Sequence, residues 1–321
     1  MSRVKKRIFV TGAAGFIGFH VALALKERGD EVVGYDNFND YYSPELKRRR
    51  AALLKEKGVG VVEGDICDRP LLKELFEKHR FSHLLNLAAQ AGVRYAQKHP
   101  EAYLKSNLEG FLSILETCRL FPEVKLTYAS SSSVYGTNEK IPFSVSDRTD
   151  SPANLYAATK KANELMAYSY HHLYGIAAVG LRYFTVYGPW GRPDMAYYMF
   201  TESILKNEPI HIFNQGKMRR DFTYIDDVVA GTLAAIDLEA EWKVFNLGNN
   251  RPVELLTFVE LLENILGKKA QKLFGEESRG EVETTFADIE SSKAELGFSP
   301  STSLEEGLPK FIEWYRDYQV I

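Results

Sequence analysis

A doubly wound α/β fold, with a parallel sheet flanked by helices and a smaller interleaved C-terminal α/β lobe, is predicted by three observations. Short apolar runs alternate with helix-period stretches through the first half of the chain, the pattern of successive βα units. A glycine-rich turn, residues 11–18, follows the first of those runs directly. After about residue 185 the alternation loosens into closely spaced turn signals, Gly188-Pro189, Gly191-Arg192-Pro193 and Asn214-Gln215-Gly216.

The elements follow in order. Arg7–Thr11, Glu31–Tyr35, Gly60–Glu63, His83–Leu87, Lys125–Ala129 and Ala177–Leu181 read as strands. Phe16–Arg28, Arg69–Lys78, Ala102–Cys118 and Leu155–Tyr174 read as the helices between them. A later strand, Lys243–Leu247, follows a helix beginning near Asp226 and is expected to return to the main sheet. Helices over Leu255–Leu266 and Leu304–Tyr318 close the chain. No repeat or low-complexity linker is present, so the second domain is interleaved with the first. Residues 1–185, rejoined by 221–250, are expected to form one domain, and 186–220 with 251–321 the other.

Composition narrows the function. The 321 residues are 45% hydrophobic and 26% charged, which supports a large core and excludes disorder. Forty Lys+Arg against 43 Asp+Glu leave a net charge of -3, with no broad basic face for nucleic acid or an anionic membrane. No apolar run reaches the ~18 residues of a membrane span. Met1 to Arg7 followed by Ile8-Phe9-Val10 imitates a signal peptide, but Thr11-Gly12 interrupts it too soon. Two cysteines, Cys67 and Cys118, build no disulfide framework, and a cytoplasmic location is expected. Seven histidines show no metal-ligand spacing, so no metal is expected.

Ile8 to Thr11 runs straight into Gly12-Ala13-Ala14-Gly15-Phe16-Ile17-Gly18. Glycines there let the backbone turn tightly against a pyrophosphate, whose charge meets the free N–H groups of the helix start. The spacing is G-x-x-G-x-x-G, not the commoner G-x-G-x-x-G. A tight βα turn without ligand would use the same residues. Asp36, at the end of the second strand, is spaced to hold the adenosine ribose diol, which favours NAD over its 2′-phosphorylated form. Arg48-Arg49-Arg50 offers a rival phosphate site, but a charge run on a helix usually marks a solvated face. Asp65-Ile66 is placed to meet adenine, or is an ordinary turn acid.

The fifth strand leads into Ser130-Ser131-Ser132-Ser133. Tyr156 and Lys160, i and i+4 on one helix face, form the only Tyr-x-x-x-Lys in the chain. At the C-terminal edge of a doubly wound sheet these residues meet the ligand. An ammonium near a phenol lowers its pKa. Ser131, Tyr156 and Lys160 together are therefore suited to removing a hydroxyl proton as hydride leaves the carbon, with Lys160 also on the nicotinamide ribose.

At this point nearly the whole chain resembles the extended short-chain dehydrogenase/reductases that act on nucleotide sugars, most closely the UDP-glucuronate 4-epimerases. The likeness rests on residues 10–18, Tyr35-Asp36-Asn37, residues 87–94 (LAAQAGVR), Tyr156 to Lys161, residues 185–195 (TVYGPWGRPDM) and residues 220–227 (RDFTYIDD). It implies a Rossmann-like NAD-binding domain and a UDP-sugar domain. It also implies tightly bound, regenerated NAD and a redox-neutral inversion at C4 through a 4-keto sugar, with Tyr156 as base. By the same resemblance Leu87, Ala88 and Ala89 line the cofactor's phosphate side, Tyr183, Phe184 and Thr185 its nicotinamide side, and Phe213, Arg220 and Arg279 suit uracil, ribose or diphosphate. A homodimer through the helices over Gly110–Arg119 and Leu155–Tyr174 is implied too, although core burial has an equal claim on their apolar faces.

Dehydrating relatives carry an Asp-Glu pair, and the decarboxylases a Glu, where this chain has Ser132 and Ser133. The absence of a carboxylate there points to a uronate, whose own carboxylate Ser132, Ser133, Thr185 and Arg192 are suited to hold. Arg192 could equally be a structural arginine of its loop. A neutral UDP-hexose 4-epimerase, a UDP-glucuronate decarboxylase and a non-catalytic NAD-binding regulator remain as alternatives.

Overall fold

The computed structural model describes residues 4–275 and 282–319. The strands are β1 (Arg7–Thr11), β2 (Glu31–Asp36), β3 (Gly60–Glu63), β4 (His83–Asn86), β5 (Lys125–Ser131) and β6 (Ala178–Tyr183), followed by β7 (Thr185–Tyr187), β8 (Pro209–Ile212), β9 (Arg219–Tyr224), β10 (Trp242–Leu247), β11 (Pro252–Glu254) and β12 (Gln271–Phe274). Seven of them form one sheet, ordered β10-β6-β5-β4-β1-β2-β3. Every pairing in it is parallel. The order reverses between β1 and β4, and the crevice above such a switch point is where open α/β sheets bind ligands.

Burial on both faces explains the composition of these strands. β4 and β6 are buried along their whole length, which requires apolar runs instead of alternation. The core sits in separate layers. Phe9, Leu72, Phe76, Ile114 and Leu126 pack one region, and Ile8, Val10, Phe19, Leu25 and Leu85 another. A third cluster joins β6 and β10 to the C-terminal lobe through Tyr187, Phe222, Phe258 and Phe311.

That lobe is built on two small sheets, β11-β9-β7 and β12-β8. β9 pairs with β7 and β11, not with the large sheet, so a domain boundary at residue 221 would fall inside it. The helix Ile225–Asp237 and β10 do return, β10 lying parallel to β6 with Trp242 beside Ala178. The expected helix over Ala102–Cys118 is broken instead: a four-residue helix, Pro100–Tyr103, and a π-helical turn, Leu104–Glu109, precede a regular helix, Gly110–Leu120. Among the described residues no helix is long and apolar enough to cross a membrane.

The helix Leu155–Tyr174 is tied to the sheet by charge. Arg182 on β6 donates two hydrogen bonds to Glu164, both 2.8 Å, and Ser130 adds a third at 2.7 Å. In the C-terminal lobe Glu263 accepts from Lys269, Lys272 and the Ala270 N–H. These partners outweigh the cost of burial and hold its carboxyl down at about 2. A depressed carboxylate contributes stability above its unfolded pKa and loses it as the pH falls towards the folded one. The melting temperature of the wild type should therefore fall more steeply than that of Glu263→Gln between about pH 4.5 and 2; parallel curves would contradict this.

Candidate active site

The glycine turn is fixed by steric limits. Gly12 has φ +67°, and a Cβ on it would lie 2.8 Å from the Ala88 nitrogen. A Cβ on Gly18 would lie 2.1 Å from the Gly12 carbonyl oxygen. The helix Phe16–Glu27 can thus start directly against the strand end. Gly15 precedes it without a side-chain cap, and no acid lies in the first turn, leaving N–H groups for an anion.

Asp36 ends β2 and accepts from the Ala14 N–H at 3.0 Å and the Phe38 N–H at 2.8 Å. Burial raises its carboxyl, with these bonds and the nearby Lys47 and Arg50 acting in the opposite direction. Around the turn runs a cavity lined by Gly12, Gly15, Phe16, Ile17, Gly18, Asp36, Asn37, Asp65, Ile66, Leu87, Ala88, Ala89, Ser131, Tyr156, Lys160 and Tyr183. Ser131 aside, these are the residues expected to hold the cofactor; of that set only Thr185 is missing, and it faces a second cavity. Such a cradle, with no room for a Cβ at Gly12 and a carboxylate beside it, fits a dinucleotide.

The three arginines at 48–50 differ from the expected solvated face. Arg48 pairs with Glu63 and Arg49 with Glu45, both at the surface. Arg50 is fully buried, donating to the carbonyls of Ala14, Trp190 and Gly191 and to the Tyr42 hydroxyl. It fastens the glycine turn to the 190–195 segment, where Trp190 sits at φ +59°. Periodicity hides such an arginine because its partners are carbonyls, which have no residue signature.

Ser131 ends β5, and its hydroxyl caps the following turn, bonded to the Ser133 N–H at 3.1 Å and Oγ at 3.1 Å. Tyr156 and Lys160 share the inner face of their helix. Lys160 donates to the Ala129 carbonyl at 2.8 Å, and burial lowers it to about 8. The phenol of Tyr156 is raised by burial, not lowered by Lys160 as expected; Ser131 and Arg192 are what act against that rise. Asn107, which sequence reasoning missed, sits in the π-turn. It accepts from the Gln90 N–H, donates to the Gln90 carbonyl and to Thr159, and its own carbonyl accepts from Asn163. Asn107 is the only buried residue of that turn, and a polar residue among Lys105, Ser106 and Glu109 carries no signal in the sequence.

The second cavity, of about 730 Å³, adjoins the first across Ser131, Tyr156, Tyr183 and Arg192. Ser132, Ser133, Thr185, Arg94, Phe213 and Arg220 line it, with the Arg94 guanidinium 4.8 Å over the Phe213 ring. Tyr183 turns its hydroxyl away, to Thr232 at 3.0 Å. Arg192 is not a surface arginine: it lines both cavities and is paired with Asp194. Arg279 lies outside the described residues. No group of three or more metal-binding side chains occurs among the described residues.

A doubly wound sheet, a glycine cradle beside an aspartate, and Ser, Tyr and Lys between two joined cavities define an enzyme of the dinucleotide-dependent, short-chain dehydrogenase/reductase type. The chain belongs to the NAD dependent epimerase/dehydratase family, whose model matches residues 8–248. It is 54% identical to UDP-glucuronate 4-epimerase 3 of Arabidopsis thaliana, over 97% of this chain and 76% of that protein. Among solved structures, UDP-glucuronic acid 4-epimerase from Bacillus cereus in complex with UDP-glucuronic acid and NAD matches with a TM-score of 0.89 and 35% identity, over 97% of this chain and 99% of that one. UDP-glucose 4-epimerase from Thermotoga maritima, with UDP-glucose, matches with 0.87 and 32%, over 98% and 99%.

Gly18→Ala drives the added carbon into the Gly12–Ala13 backbone. It should yield folded protein that no longer retains a dinucleotide through gel filtration, or protein that does not fold. A folded variant with undiminished dinucleotide content would show that the turn is not a cofactor cradle.

Proposed function

We propose that the protein interconverts UDP-glucuronate and UDP-galacturonate by inverting C4, with NAD in the first cavity and the UDP-sugar in the second. The similarity to UDP-glucuronate 4-epimerases over nearly the whole chain carries this reading. The wall around the joined cavities supports it. Asp194 is the only carboxylate among the described residues lining the second cavity, and it is already bonded to Arg192. Dehydration would need an acid to protonate a leaving hydroxyl, and the second cavity offers no other carboxyl group among the described residues.

NAD, when bound, supplies the acceptor and donor of hydrogen at C4. The chain's own residues handle the proton and the geometry. Tyr156 takes the proton from the 4-hydroxyl and returns it. Ser131 bonds the same oxygen, and Lys160, protonated at neutral pH, supplies positive charge beneath them while reaching the nicotinamide ribose. Asp36 holds the adenosine ribose, Asn37, Asp65 and Ile66 border the adenine, and Leu87 to Ala89 flank the phosphates. Ser132, Ser133 and Thr185 offer hydroxyls to the sugar carboxylate. Holding that carboxylate out of line with the C4 carbonyl is what keeps a β-keto acid from losing CO₂. Phe213 and Arg220 suit the uridine diphosphate.

A homodimer in a reducing compartment such as the cytoplasm belongs to the same reading. Leu120, Leu165, Tyr168, Leu173 and Tyr174 are large apolar residues left exposed on the two helices, and both cysteines are free thiols.

An NMR time course with UDP-glucuronate, and separately with UDP-glucose, adding no cofactor, tests the proposal. Growth of UDP-galacturonate without a UDP-pentose is expected. Turnover of UDP-glucose alone would make this a neutral-sugar epimerase, and a UDP-pentose product a decarboxylase. Tyr156→Phe should lower turnover by roughly 10²–10⁴-fold while UDP-sugar binding persists.

A further inference from the structure

Arg192, suited to a sugar carboxylate, is already holding one of the protein's own. Its Nε donates to Asp194 Oδ1 at 3.0 Å and its Nη2 to Oδ2 at 2.5 Å. Asp194 also accepts from the Tyr41 hydroxyl at 2.9 Å. Tyr41 is fixed in turn: its ring lies 4.6 Å from that of Tyr95, and only a glycine at 92 leaves space for its hydroxyl, since a Cβ there would be 2.0 Å away. About a fifth of each side chain of the Arg192–Asp194 pair is exposed, and both residues line the second cavity.

This arrangement has two physical effects. A guanidinium bonded along its Nε–Nη2 edge is fixed in orientation, and the bonds to Asp194 use neither N–H of Nη1, so that edge can meet a second anion. The pair also carries no net charge, so an incoming carboxylate meets a much weaker field than a lone half-buried arginine would exert. An enzyme that turns its intermediate over within the site needs both effects. The carboxylate must be recognised, yet must exchange partners when the ring turns.

We propose that Asp194, held by Tyr41, is a positioning residue that orients Arg192 and attenuates its charge, so that a uronate carboxylate is bound reversibly during each turnover. The proposal rests on the UDP-glucuronate reading above.

Calorimetric titration of the NAD-loaded protein with UDP-glucuronate and with UDP-glucose tests it, alongside kcat and KM. Asp194→Asn keeps the shape and removes the charge. It should bind UDP-glucuronate at least about tenfold more tightly, leave UDP-glucose affinity within about twofold, and turn over more slowly as the carboxylate is released less readily. Tyr41→Phe, which loses one hydrogen bond and no charge, should shift both parameters in the same direction by a smaller factor, and it carries the test if Asp194→Asn fails to fold. Equal changes for the two ligands, or none, with a wild type that epimerises UDP-glucuronate, would overturn the role of Asp194 alone. A wild type that neither binds nor converts UDP-glucuronate would overturn the substrate reading, and this inference with it.

Discussion

The buried ion pair between Glu164 and Arg182 is the constraint on which the catalytic geometry depends. Both side chains are almost wholly enclosed, and burying two charges is costly unless each finds close partners. Here the guanidinium is satisfied by two 2.8 Å bonds and lies 4.8 Å from the centre of the Tyr135 ring. The carboxylate takes a further bond from Ser130. Because Glu164 lies one turn beyond Lys160 on the same helix, the pair fixes that helix in rotation and height against β5 and β6. Lys160 then reaches the Ala129 carbonyl, and Tyr156 stands beside Ser131. An apolar contact would hold the helix to the sheet but would permit it to slide.

Much of this was legible in the residues. β1 and the helix Leu155–Tyr174 lie where the pattern places them, because a strand enclosed on both faces is apolar over its buried residues and a helix with one buried face must show a period near four; β3 does too, although it lies half-exposed at the sheet edge. The glycine turn was legible for a different reason: only glycine fits Gly12 and Gly18, so the constraint is written in residue identity. What escaped was structure whose cause lies far away in the chain. Nothing local marks β9 as a partner of β7 and β11, or the π-turn at Leu104–Glu109, which places Asn107 against Gln90. Arg50 escaped because the two arginines before it are at the surface, and a run of three reads as one face.

The site shows the same division. Ser131, Tyr156 and Lys160 line one cavity, as their places in the sequence suggest, but their electrostatics were not legible. Proximity of an ammonium to a phenol was expected to lower the phenol's pKa, yet Lys160 spends its hydrogen bond on a backbone carbonyl, and burial dominates at Tyr156. Burial depends on how completely the surrounding elements close, which no spacing encodes. Arg192 illustrates it from the other side. Only Pro193 lies between it and Asp194, and nothing in that spacing announces the pairing that decides what charge the cavity presents.

The place of β10 at the end of the large sheet has a consequence for how the protein is made. β6, buried along its length in the finished molecule, has one side that only β10 covers, and the segment between them, which carries the first part of the smaller lobe, must leave the ribosome first. Synthesis at roughly 5–20 residues per second leaves that edge bare for several seconds, with its N–H and C=O groups open to pairing by any extended chain nearby. Vectorial translation therefore leaves the strand that flanks Ser131 and carries Arg182 without its outer neighbour until β10 emerges.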